Sequence, residues 1–90
     1  MRFESQTKTA SGQLTTSTQR ARSIEFHARS DNDQSVVVGE SDVSATNGRE
    51  LPPGESVSFN FDEGSEPLNT FYAYMGKATD KLDWTAILRD

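Results

Sequence analysis

Pro52-Pro53-Gly54, set between the apolar runs Val36-Val37-Val38 and Val57-Ser58-Phe59-Asn60-Phe61, constrains the chain more than any other segment. Proline at the first central position of a turn presets φ, and glycine next accepts the positive φ that a type II turn demands. After the turn Val57, Phe59 and Phe61 alternate with Ser56, Ser58 and Asn60, the two-residue period of a half-buried strand. Gly39 and Gly48 punctuate the stretch before it, so Gly39, Gly48, Pro53 and Gly54 are expected as turn-forming residues.

The same period recurs elsewhere. Ile24, Phe26 and Ala28 fall on one face of a strand from Ser23 to Arg29, and Ser23, Glu25, His27 and Arg29 on the other. Asp31-Asn32-Asp33 predicts a turn built on short polar side chains that bond to their own backbone. Thr70 to Met75 carries large residues on both faces, as a strand covered on both sides does. Leu82, Trp84, Ala86 and Leu88 alternate with Asp83 and Thr85 in a last strand whose other face carries Ile87. A weak first strand is expected over residues 2–7 with Phe3 as its anchor, followed by a Ser/Thr/Gln stretch in which Leu14 is the sole large apolar residue. These segments predict an all-β chain: an antiparallel β-sandwich, jelly-roll-like, in residues 23–90, with residues 1–22 a polar N-terminal arm or edge strand.

Ninety residues make one domain with a thin core. There is no cysteine, so no disulfide supplements that core, and association with copies or a larger partner is the expected supplement. Fourteen acidic and nine basic residues give a net charge of −5, with the cations scattered; binding to nucleic acid, which wants a concentrated basic face, is not expected. The acid excess and the preference for Arg over Lys lean toward a high-salt source. No apolar run approaches a membrane span or a secretory signal, so no membrane partner is expected and the chain reads as made in soluble, unprocessed form.

Chemistry is sparsely signalled. His27 is the sole histidine and falls on a polar strand face, and no spacing announces a nucleophile triad. Asp31, Asp33, Ser35 and Asp42 fit four positions of a calcium loop, but Val36 stands where the loop needs Gly and Asp42 where it needs Glu. Asp62, Glu63 and Glu66 supply carboxylates on a charged loop, which reads as solvated. No catalytic residue, metal site or cofactor is therefore expected. The candidate contact residues are Arg20 and Arg22, suited to an acidic partner, and Tyr72, Tyr74 and Trp84, whose rings would serve a subunit interface or stack on a sugar.

From Ile24 onward the pattern Ile24-x-Phe26-x-Ala28, an Asx turn, Val36-x-Val38-Gly39, Ser41-x-Val43-Ser44, Asn47-Gly48-x-x-Leu51-x-Pro53-Gly54-Glu55-Ser56-Val57 and a late aromatic strand resembles small structural proteins of tailed phages and related archaeal viruses. The resemblance covers about two-thirds of the chain. It implies a β-sandwich on the virion, above all a capsid decoration (cement) subunit that docks on the major capsid protein at the capsid surface as a homo-oligomer, with a trimer favoured. The alternative it leaves is a tail, baseplate or receptor-binding fibre component that binds a host glycan or another tail protein. On this reading the N-terminal segment becomes ordered on docking, and removing residues 2–20 spares the fold.

Overall fold

A computed structural model of the chain describes residues 2–61 and 66–89. Among the described residues there are nine strands: β1 (Arg2–Lys8), β2 (Gly12–Gln13), β3 (Arg20–Ala28), β4 (Val36–Gly39), β5 (Arg49–Leu51), β6 (Ser56–Asn60), β7 (Glu66–Pro67), β8 (Tyr72–Met75) and β9 (Leu82–Leu88). One turn of 3-10 helix, Leu68–Thr70, leads into β8. The strands form two antiparallel sheets. In the first, the order is β1-β9-β3-β6, with β7 also on β3; in the second it is β2-β8-β4-β5.

Alternation places one side of each sheet on a shared core. Ile24, Phe26 and Ala28 of β3 and Leu82, Trp84, Ala86 and Leu88 of β9 meet Val36 and Val38 of β4, Leu51 of β5, and Ala73 and Met75 of β8. Ala21 of β3, with Leu14 and Leu68, both outside the strands, completes this cluster. Central strands β3 and β9 have the alternating burial that their sequences predict, because each is paired on both edges and covered on one face.

The turn after β5 has the geometry its residues prescribe. The Glu55 amide donates to the Pro52 carbonyl at 3.0 Å, and Gly54 sits at φ +88°. A Cβ at Gly54 would meet nothing nearer than Ser30 Cβ at 3.8 Å, so a substitution there is opposed by the backbone alone. Gly54→Val is expected to cost about 1–2 kcal/mol, read from the urea midpoint of unfolding.

Gly39 is not a turn residue: it ends β4, and the absence of a side chain makes room for Val43, whose Cγ2 lies 3.4 Å from where a Cβ would stand. The segment after it, residues 40–48, folds back over the outer side of the second sheet. That is why Val37, which points away from the core, is buried. Gly48 makes the return at φ +133°, where a Cβ would lie 2.7 Å from Val37 Cγ1 and 2.8 Å from the Val38 carbonyl oxygen.

The N-terminal segment is built into both sheets. β1 pairs with β9 from Arg2↔Leu88 to Lys8↔Leu82, forming the edge of the first sheet, and Gly12↔Ala73 and Gln13↔Tyr72 join β2 to β8. The hydroxyl of Ser11 is bonded to both the amide and the carbonyl of Met75, at 2.7 and 3.1 Å. Ordering on docking, expected for this segment, is therefore replaced by ordering within the fold. Phe3 is also not the anchor expected of it. It lies opposite Ile87 on the outer face and is 62% exposed, while Glu4, Gln6 and Lys8 take the positions beside the inward-facing Ala86, Trp84 and Leu82.

At one end of the molecule two connections are clamped together. The Asp80 carboxylate, 1% exposed, accepts the amides of Asp33 and Gln34 at 2.8 and 3.1 Å. The Asn32 side chain donates to the Lys81 carbonyl and accepts the Lys81 amide, both at 2.8 Å. The Asn32 side chain thus bonds across to the β8–β9 connection, where the turn's composition predicts bonding to its own backbone.

Candidate functional site

Three surfaces hold the residues able to contact a ligand or partner. The first is the outer face of the β1-β9-β3-β6 sheet, where register sets side chains in rows. One row runs Phe3, Ile87, Ser23, Asn60; the next Ser5, Thr85, Glu25, Ser58; the third Thr7, Asp83, His27, Ser56. The face passes from apolar through hydroxyl to charged.

The third row brings Ser, His and Asp together, and its bonding is not that of a nucleophile site. His27 Nδ1 is 2.7 Å from Ser56 Oγ, while both oxygens of Asp83 are engaged by Arg29, Nε to Oδ2 at 3.0 Å and Nη2 to Oδ1 at 3.1 Å. Thr7 Oγ1 donates to Asp83 Oδ1 at 2.6 Å. A triad needs the carboxylate to orient the imidazole that activates the hydroxyl. Here the carboxylate serves a guanidinium and ties β1, β9 and the end of β3 together.

Hydrogen bonding from Arg29 holds the Asp83 carboxyl below the usual carboxylate range, desolvation opposes this, and the Thr7 hydroxyl adds to the lowering. The Arg29 guanidinium is correspondingly held above its ordinary value, first by the hydrogen bond to Asp83 and then by that residue's charge. Because the folded value of Asp83 is depressed, its stabilising contribution is complete above the unfolded carboxylate value and is lost as pH falls through the folded one. Both side chains are more than a third exposed, so solvent screens the pair and the effect is small. The fall in melting temperature between about pH 6 and pH 2.5 is expected to be slightly smaller in Asp83→Asn than in the parent.

The second surface is the outer face of the other sheet. Tyr72 and Tyr74 stand there, half-buried, beside Gly39 and Val37 of β4. A shallow depression of about 270 Å³ next to them is lined by Gln34, Ser35, Val37, Ala45, Glu50 and Tyr74. Trp84, expected with these tyrosines, is not a contact residue: it is 1% exposed, on the core side of β9 in the opposite sheet. Its Nε1 is buried with no hydrogen-bond partner among the described residues. An unpaired buried donor costs about 1–3 kcal/mol. Trp84→Phe removes that donor along with some packing, so the two changes oppose each other and a net change within about 2 kcal/mol is expected in thermal unfolding, against about 3–5 for Trp84→Ala.

Arg20 and Arg22 are exposed at the start of β3, in the sheet opposite the tyrosines. Their backbones are held, the Arg20 carbonyl by the Arg89 amide at 2.8 Å and the Arg22 carbonyl by the Phe61 amide at 3.0 Å. The four aromatic and basic candidates that remain at the surface are thus divided between two faces.

The third surface was not foreseen from the sequence. Beside β6 the space between the sheets opens into an apolar cleft of about 240 Å³, lined by Phe26, Val38, Glu40, Phe59, Phe61 and Phe71. Phe26 meets Phe59 and Phe71 edge-on with centroids 6.0 Å apart, and Phe61 stacks on Phe71 at 5.9 Å. Phe59 is 36% exposed. The alternation of Val57, Phe59 and Phe61 is the signal for these rings, but not for β6 being an edge that leaves them partly uncovered.

The residues that mimic a calcium loop do not converge. Asp33 pairs with Lys77 at 2.5 Å, and the Asp42 carbonyl accepts the Asn47 side chain at 3.0 Å. Among the described residues no group of three or more His, Cys, Asp or Glu is placed to hold a metal ion. Of the carboxylates on the charged loop, Glu66 is exposed in β7, while Asp62 and Glu63 lie outside the described residues. Among the described residues no helix is long and apolar enough to cross a membrane. No protein family, curated protein or solved structure matches this chain.

Proposed function

We propose that the chain is a structural subunit of a virus particle, a capsid decoration protein that docks on the assembled major capsid protein at the head surface and acts by adhesion without catalysis. The observation that carries the reading is the strand order. Leaving aside the two-residue β7, the eight remaining strands run first-eighth-third-sixth in one sheet and second-seventh-fourth-fifth in the other. We read that order as a jelly-roll sandwich, an architecture recurrent in viral capsid and lectin domains. A fold hosts many functions, and the viral assignment leans on the sequence pattern from Ile24 to Val57 that resembles virion proteins. The row of Ser56, His27 and Asp83 supports adhesion over catalysis, since its carboxylate is committed to Arg29.

The test is co-sedimentation with the heads of the virus that encodes the chain. Retention on assembled heads, with none on free capsid monomers, is the expected result; failure to bind assembled heads overturns the decoration role. The half-exposed pair Tyr72 and Tyr74 favours a second reading, a tail or fibre component that binds a host glycan. Trp84 fluorescence is a poor probe of that reading because the ring is in the core. The discriminating measurement is glycan binding by the parent and by Tyr74→Ala.

A further inference from the structure

The free edges of the first sheet are built differently. β1 turns Glu4 and Lys8 toward the inner side, and inward-pointing charges are a device that stops a sheet from adding another strand. β6, at the other edge, reads Ser-Val-Ser-Phe-Asn: no charge, no proline and no bulge in its register with β3. Among the described residues it pairs with β3 alone.

The direction of its hydrogen bonds follows from the ladder. The Phe61 amide donates to Arg22 of β3, and in an antiparallel pair the bonded positions alternate. Val57 and Phe59 therefore direct their amides and carbonyls to β3, and those of Ser56, Ser58 and Asn60 point outward.

We propose that β6 pairs with β6 of a second copy, antiparallel and centred on Ser58, joining the two first sheets into one. The proposal is independent of the virion reading. Across such a dyad Ser58 faces Ser58 and Ser56 faces Asn60 in bonded pairs, so every outward amide and carbonyl of the strand finds a partner. Val57 faces Phe59 in the closer, non-bonded pairs, where side chains touch best. Polarity matches as well: hydroxyls and amides meet on the outer face, while each Phe59, 36% exposed in the single chain, is covered by its partner at the mouth of the aromatic cleft.

The self-complementary register selects a second copy, and charge at the strand does not oppose it. A protein of net charge −5 repels itself, and β6 is a stretch where two copies meet without opposing charges of like sign. Glu25, opposite Ser58, is separated from its symmetry mate by two strands, about 14 Å, which is beyond the Debye length at physiological salt. The arrangement is twofold, whereas the resemblance to virion proteins favours three copies; solution mass separates the two.

Sedimentation equilibrium of the parent is expected to give twice the 10.0 kDa of the chain, and of Ser58→Lys the single-chain mass with an unchanged circular dichroism spectrum. That substitution sets two like charges opposite each other at the dyad, while within one chain it places a lysine beside Glu25. Because the chain has no cysteine, Ser58→Cys is a second, independent probe: bonded pairs hold Cα atoms about 5.5 Å apart, within disulfide reach, so it is expected to form a reducible linked dimer on oxidation, and Ser5→Cys on the outer face is not. A parent of single-chain mass at every concentration, a trimer, a dimer that survives Ser58→Lys, or Ser58→Cys linking no faster than Ser5→Cys would overturn the proposal.

Discussion

Gly48→Val lowers the melting temperature by about 15 °C or more, on a cost of about 3–5 kcal/mol from overpacking and a disfavoured φ together. The added Cβ has two immovable neighbours. One is the Val38 carbonyl, 2.8 Å away and part of the ladder; the other is Val37 Cγ1, 2.7 Å away on a residue that the 40–48 segment itself buries. Relieving either clash lifts that segment off the second sheet and exposes Val37. Gly54→Val is the matched control, since it shares the positive φ and lacks the collision. Differential scanning calorimetry of the two variants separates the contributions; equal losses would show that contact at Gly48 plays no part.

Removal of residues 2–20 abolishes cooperative unfolding. The truncated chain loses β1, leaving the whole of β9 as an unpaired edge, and loses β2 and the Ser11 bonds that hold Met75. It also loses Leu14 from the core. One fully buried leucine contributes about 2 kcal/mol and each hydrogen bond about 1, so the sum exceeds 5 kcal/mol, comparable to the whole stability of a domain of this size. A sigmoidal urea transition in the truncated chain, with the parent's slope, would refute this and restore the view of the segment as a detachable arm.

The contrast between these two regions shows what a sequence of this kind makes legible. Strands in the middle of a sheet announce themselves, because covering one face and pairing both edges forces the two-residue period seen in Ile24-Phe26-Ala28 and in Leu82-Trp84-Ala86-Leu88. That period already places Trp84 with the leucines, and the structure agrees with it over the expectation of a surface ring. Tyr72 and Tyr74 are likewise out of phase with Ala73 and Met75 and stand outside. β1 was less legible because its phase is inverted: its apolar residue, Phe3, faces solvent while Glu4, Gln6 and Lys8 face inward, which is how an edge differs from a centre. The aromatic cleft was not legible at all. It depends on which strand is last in the sheet, and that is decided by pairings between segments more than thirty residues apart, such as Ile24 with Phe59.

Asp80 and Asn32 have a mechanical consequence. Lys81, gripped by Asn32, directly precedes β9, and Asp33 and Gln34, gripped by Asp80, lead through Ser35 into β4. Tension applied along β9 therefore passes through side-chain links into the opposite layer before it loads the core. The two layers bear a shearing force together at that end.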